Sequence, residues 1–128
     1  MKAYLSIVHA DGRVEELQLH GPLAAALVPV VDHLSERARA TYDHISRIDR
    51  ERARGKHELA CPELLQLLTT AHALLHEPPL ALRRARHLPD GRPHPHAERV
   101  APVLAWLAER RDARCVHYDL WTSLTHSD

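Results

Sequence analysis

The chain opens with two short runs in which apolar and polar positions alternate, Ala3 to His9 and Arg13 to Leu19, separated by Ala10-Asp11-Gly12. A period of two bounded by Asp-Gly predicts a β-hairpin. The loop length decides its register. A two-residue Asp11-Gly12 loop would set Leu5 opposite Gln18 and Tyr4 opposite Leu19, mixing the faces. A three-residue loop with Gly12 in the left-handed conformation sets Leu5 opposite Leu17 and Ala3 opposite Leu19. That register keeps one face apolar and is the expected one, with Glu16 and Gln18 turned to water.

The period changes at Gly21-Pro22, where a helical stretch opens, since Pro is tolerated in the first helical turn. Pro29 must kink or restart that stretch because it has no amide to donate. From Pro29 onward, Val31, Leu34, Ala38, Thr41, Ile45 and Ile48 recur at alternating spacings of three and four, an a/d seam. This predicts a helix of about 26 residues, roughly 39 Å long at 1.5 Å per residue. Its basic last turn suits the helix dipole and Gly55 is its stop. So long a helix in a chain of 128 residues is expected to project or to pair with a second copy.

Cys61-Pro62-Glu63 starts the next helix, with Leu64, Leu65, Leu68, Ala71 and Leu75 on one face and Pro78-Pro79 as its end. A short basic turn, Leu80 to His87, leads into the loop Leu88 to His96, which three prolines make stiff and extended. Another helix carries Val100, Val103, Leu104 and Leu107 to about Arg111, with Pro102 near its start. Finally Val116, Tyr118 and Leu120 alternate with Cys115, His117 and Asp119. Arg114 to Trp121 therefore reads as a strand pairing with the hairpin, and the polar tail from about residue 122 is expected to fray. The predicted fold is α+β: one domain over residues 1–128, an N-terminal antiparallel β-hairpin joined by a C-terminal strand and packed against three to four helices.

Composition agrees with a globular chain: 45% hydrophobic and 27% charged, but only 4% aromatic with no Phe. The core must then be aliphatic, which favours helix packing over a β-sandwich. Lys plus Arg and Asp plus Glu number seventeen each, a balance that argues against a dedicated nucleic-acid coat. The chain shows no cationic segment leading into an apolar one and no apolar run of membrane-spanning length. The two cysteines, Cys61 and Cys115, are expected reduced, in a cytoplasmic protein. Twelve His residues are many, although GC-rich coding, which also yields Arg, Ala and Leu, supplies them without a function.

Five features carry chemistry, each with a plainer reading beside it. His72 and His76 stand four apart on one helical face and could share a metal ion; the Glu of a zinc-protease helix is missing between them, and a solvated helix edge is the favoured reading. His94 and His96, with His87, sit in the stiff loop, where His117 or Cys115 could complete a metal set; the two cysteines lack paired C-x-x-C spacing. Arg52 and His57 have the Arg-x4-His spacing of some small helical ribonucleases, an Arg to hold phosphate and a His to move a proton, but Gly55 interrupts the helix that motif needs. Arg83, Arg84, Arg86 and Arg92, with His87 and Arg99, form a basic segment suited to phosphate or an acidic protein, without the aromatic residues that stack on bases. The seam Val31, Leu34, Ile45 and Ile48 is either core or a partner-binding helix face.

No nucleotide loop, catalytic triad or paired acidic motif stands out. The function these features favour is a non-enzymatic protein-binding module of accessory, regulatory or immunity type, self-associating as a homodimer through the long helix or engaging another protein, with no cofactor. Two alternatives stand beside it: a His-based transition-metal protein or phosphodiesterase, and nucleic-acid binding through residues 83–99. On the leading reading, Leu34→Asp with Ile45→Asp breaks association and leaves the domain folded.

Overall fold

The computed structural model describes residues 2–51 and 55–121. The hairpin has the expected register: β1 (Lys2–Val8) and β2 (Val14–Leu19) set Ala3 opposite Leu19 and Leu5 opposite Leu17. Gly12 takes φ +85°, a left-handed position that costs a residue with a Cβ. The His9 amide donates to the Arg13 carbonyl at 2.8 Å, and the Asp11 carboxylate accepts the Arg13 amide at 2.9 Å. The Asp side chain thus fixes the turn that the Gly makes possible.

Three elements follow the hairpin, and the long helix expected from Pro29 onward is not among them. α1 (Leu23–Leu27) gives way to a 3-10 stretch over Val28–His33 that contains Pro29, and α2 runs from Glu36 to Glu51. Leu34 between them is extended, with ψ 147°. The Ser35 hydroxyl accepts the Ala38 amide at 3.2 Å, which makes Ser35 the N-cap of a new helix. The 26-residue helix is therefore corrected to one of 16 residues. The seam is divided with it: Ile45 and Ile48 are 0% and 5% exposed in the protein's own core, while Val31 and Leu34 lie half-buried outside α2.

β3 (Gly55–Ala60) was not foreseen; Gly55 opens a strand instead of only closing a helix. It leads directly into α3 (Cys61–His76), which starts at Cys61-Pro62 as expected. The amphipathic turn after Pro79 is a short helix, α4 (Leu80–Arg86), and α5 spans Ala97–Ala108. Pro102 stands in the middle of α5, facing solvent, where its missing amide costs one hydrogen bond on the wet side of the helix. The chain closes with β4 (Cys115–Trp121). The tail expected to fray from residue 122 lies outside the described residues.

All pairings are antiparallel and the sheet order is β2-β1-β4-β3. The last strand therefore fills the centre, pairing with the first strand on one side and with β3 on the other. Alternation sends Ala3, Leu5, Ile7, Leu59, Val116, Tyr118 and Leu120 to one face. There they meet the apolar stripes of the helices, above all Leu64, Leu67, Leu68, Ala71 and Leu75 of α3 and Val100, Val103 and Leu107 of α5, in one cluster. The α+β expectation holds, with an extra edge strand. No described helix is long and apolar enough to cross a membrane.

One polar node lies inside this core. The Tyr118 hydroxyl donates to Asp49 Oδ1 at 2.6 Å and accepts the Leu23 amide at 2.9 Å, while Asp49 Oδ2 accepts the Ala24 amide at 3.0 Å. Leu23 and Ala24 are the first residues of α1, whose opening amides have no partner within the helix. Burial pushes the Asp49 carboxyl up, and burial with the Asp49 contact pushes the Tyr118 phenol up.

Asp49→Ala would leave the phenol O–H and the Ala24 amide without an acceptor, and should cost about 3 kcal/mol; Tyr118→Phe keeps the ring but orphans the Leu23 amide, and should cost about 1–2 kcal/mol. Urea unfolding measures both, and equal losses would show that the packing of the ring, not the node, dominates. Ile45→Asp places a charge in the core, so it should unfold the protein rather than merely dissociate it.

Candidate functional site

The second face of the sheet is chemically richer. The alternation that buries Val116 and Tyr118 turns Cys115, His117 and Asp119 outward on β4. Across from them stand Ser6 opposite His117 and Tyr4 opposite Asp119 on β1, and Glu58 opposite His117 and Lys56 opposite Asp119 on β3. Glu16, Gln18, Lys56 and Glu58 on the edge strands are exposed, as are Val8 and Val14, paired at the hairpin end.

The middle of this face is sealed from water. Ser6 is 0% and Asp119 4% exposed. Ser6 Oγ, His117 Nδ1 and Asp119 Oδ1 are all buried without a hydrogen-bond partner among the described residues. Native structures leave few such atoms unpaired, because each forfeits its hydration. Three of the four such atoms among the described residues lie on the two central strands, on this one face. Alongside them, the donor atoms of Glu58, Cys115 and His117 lie within 4.8 Å of one another. Ala40, Thr41 and His44 of α2 flank Glu58 and Ala60 around a depression of about 250 Å³ at the β3 edge.

A cleft of about 390 Å³ opens on the helical side between Ile7, His9, Glu15, Arg110 and Asp112. Its His9, Glu15 and Arg110 charges pair with one another, although Arg110 Nε is buried without a hydrogen-bond partner among the described residues. Arg110 donates to Glu15 Oε1 at 2.9 Å and to the Trp106 carbonyl at 2.8 Å, with its guanidinium 4.4 Å above the Trp106 ring. His9 Nε2 meets Glu15 Oε2 at 2.5 Å. The triad clamps the hairpin to the end of α5, and it reads as structure rather than as a reactive centre.

The residues singled out from sequence are dispersed. His72 and His76 stack along the edge of α3 with ring centroids 5.7 Å apart. His94 is buried, its Nδ1 accepting the His96 amide at 3.0 Å, and His96 Nδ1 bonds the Ala26 carbonyl at 3.2 Å. The His96 ring holds the proline-rich loop against α1, while the His94 ring braces the loop internally and the His94 amide ties it to the Leu75 carbonyl of α3. Cys115 and His117 meet Glu58, not His87, His94 or His96. Arg83 is consumed by the carbonyls of Pro78, Pro89 and Arg92, which leaves Arg84, Arg86 and Arg92 exposed on that segment. His57 lies on β3, so the Arg-x4-His spacing does not sit on a helix, and Arg52 lies outside the described residues.

Glu58 and Ser6 escaped the sequence reading. Glu58 depends on a strand whose alternation, Lys56 to Ala60, is too short and polar to stand out; Ser6 has no signal at all, since a Ser in a strand ordinarily meets water. No family model matches the chain, and comparison with curated proteins and with solved structures gives no significant match.

The Arg110 guanidinium, and after it the His9 ring, hold the Glu15 carboxyl at about 2. A carboxyl whose pKa falls on folding adds stability that is complete above its unfolded value of about 4.3 and fades as pH drops toward the folded value. The gap in unfolding midpoint between the wild type and Glu15→Gln should therefore stay constant above about pH 5 and close between about pH 4.3 and 2. Thermal unfolding across that range measures it; a gap that persists at the acid end would refute the clamp.

Proposed function

We propose that the chain is a non-enzymatic protein-binding module that docks another protein on the outer face of its sheet. The observation that carries this reading is the cluster of buried, unpaired polar atoms on β1 and β4, Ser6 Oγ, His117 Nδ1 and Asp119 Oδ1. A polar atom left unpaired in the free protein costs free energy, which a partner returns on binding once its approach turns these enclosed side chains outward to its hydrogen bonds. Aspartate can only accept, so the partner presents N–H donors there, and aliphatic surface to the Val8–Val14 pair. A face carrying the carboxylates Glu16, Glu58 and Asp119 favours a cationic protein segment over the phosphates of a nucleic acid.

Other features support the same choice. Nucleic-acid binding through residues 83–99 loses Arg83 to backbone carbonyls and Arg99 to the His20 carbonyl. A dimer through the α2 seam would need Ile45 and Ile48 at the surface, and both are core. Two free cysteines fit the reducing cytoplasm as the place of action.

The reading makes an inverted prediction about stability. Ser6→Ala removes an unpaired buried hydroxyl, so it should raise stability by about 1 kcal/mol in urea unfolding while weakening docking. Docking is read with a photo-cross-linker at Gln18 on the outer face, against one at Arg84 on α4 as control, in cells of the source organism. A single heterologous protein should cross-link from Gln18, not from Arg84, and the product should vanish with Asp119→Leu. A product that ignores Asp119→Leu, or only self-cross-linking, would overturn the proposal.

A further inference from the structure

We propose that Glu58, Cys115 and His117 bind one divalent ion of the zinc class, an activity that does not rest on the docking reading. Cys115 and His117 are two apart on β4 and share its outer face, and Glu58 is the direct cross-strand neighbour of His117 on β3. The three donor atoms already lie within 4.8 Å of one another. Around tetrahedral zinc, with bonds of about 2.0–2.3 Å, donors stand roughly 3.3–3.6 Å apart. Side-chain rotation alone closes that difference, because antiparallel pairing holds the two backbones in place.

His117 supplies a second observation. Its Nδ1 is buried with no hydrogen-bond partner among the described residues, a state that an ion or an ion-oriented contact would relieve. The donor chemistry selects the ion. Thiolate with imidazole and carboxylate suits zinc or cobalt, whereas magnesium and calcium demand oxygen donors. Cys115 binds as the thiolate, releasing its proton to solvent. Three protein donors leave a fourth position for water on the open side of the sheet.

Among the described residues, the other histidine pairs and Cys61 do not compete on geometry. His72 and His76 make a two-donor pair, and among the described residues no third ligand joins them. His94 and His96 each commit a ring nitrogen to the backbone. Cys61 is core, with its Sγ 3.8 Å from the Arg110 carbonyl, and burial pushes its thiol up.

The test titrates the chelator-treated full chain with Co²⁺ and then Zn²⁺. One equivalent of Co²⁺ should produce a thiolate-to-cobalt charge-transfer band and the intense visible bands of a four-coordinate site, and one equivalent of Zn²⁺ should erase both. Cys115→Ala should abolish the charge-transfer band, and His117→Ala or Glu58→Gln should each weaken binding at least roughly tenfold. Cys61→Ala and the pair His72→Ala with His76→Ala should leave the titration unchanged. Cys115 is half-exposed, so its variant keeps the core, and an unaltered urea midpoint verifies this. Absence of the band in the wild type, its survival in Cys115→Ala, or its loss with His72 and His76 would overturn the site. Because the titration uses the isolated chain and the cross-link uses Gln18, either proposal can fail while the other stands.

Discussion

The structure depends on a last strand that sits in the middle. β4 has no hairpin partner in sequence; it inserts between β1 and β3 and completes both pairings at once. Until it arrives, β3 has no neighbour and the hairpin no second flank. The Tyr118 hydroxyl then reaches across the core to Asp49 of α2 and the first amide of α1. One side chain of the central strand therefore ties sheet, α2 and α1 together. These contacts join residues 69 and 95 positions apart, the kind of non-local closure that slows folding.

The same strand divides the molecule chemically. A period of two leaves no choice: if Val116, Tyr118 and Leu120 are core, Cys115, His117 and Asp119 face away. An antiparallel sheet with one face on its helices can leave the other wet. On this outer face small and short side chains, Ser6 and Asp119, stand on the central strands between the longer Tyr4, Glu16, Lys56 and His117. Their polar atoms are enclosed by neighbours that do not bond them. Replacing Ser6 by Ala would suit the isolated fold better, and the mismatch between local stability and residue choice is characteristic of a surface selected for something other than folding.

Much of this was legible in the residues. The hairpin register followed from face consistency and Gly12, the start of α3 from Pro62 and Glu63, and β4 from strict alternation. What stayed hidden has definite causes. The spacing of Val31, Leu34, Ala38 and Ile45 is blind to the backbone, and Ser35, a helix cap, interrupts it without breaking the apolar rhythm. β3 has one buried residue, Leu59, so its periodicity is nearly mute; the neighbour β4 makes it a strand. Without β3, Glu58 could not be set beside His117, and the histidines were grouped by proximity in sequence instead. The pairs so grouped, His72 with His76 and His94 with His96, do lie side by side, but their surroundings assign them to a helix edge and to loop anchoring.

The two polar clusters differ in how much hydrogen-bonding capacity they leave unpaired, and on that difference the docking proposal rests. Around Glu15, Arg110 and His9 the charges pair with one another, the Arg110 guanidinium stacks on the Trp106 ring and the carboxyl is held far below its ordinary range, with only Arg110 Nε buried and unpaired among the described residues of that cluster. Such a cluster has little left to offer a ligand, since any newcomer must displace a bond of equal quality. On the outer face the reverse holds: a hydroxyl, an imidazole nitrogen and a carboxylate oxygen carry the cost of burial without the return of a bond. Those atoms are enclosed, so on the docking proposal a partner reaches them only once the side chains turn outward, and the bonds it then makes replace none within the fold. The cleft is the larger of the two concavities described, yet the outer face holds three unpaired polar atoms against one at the cleft.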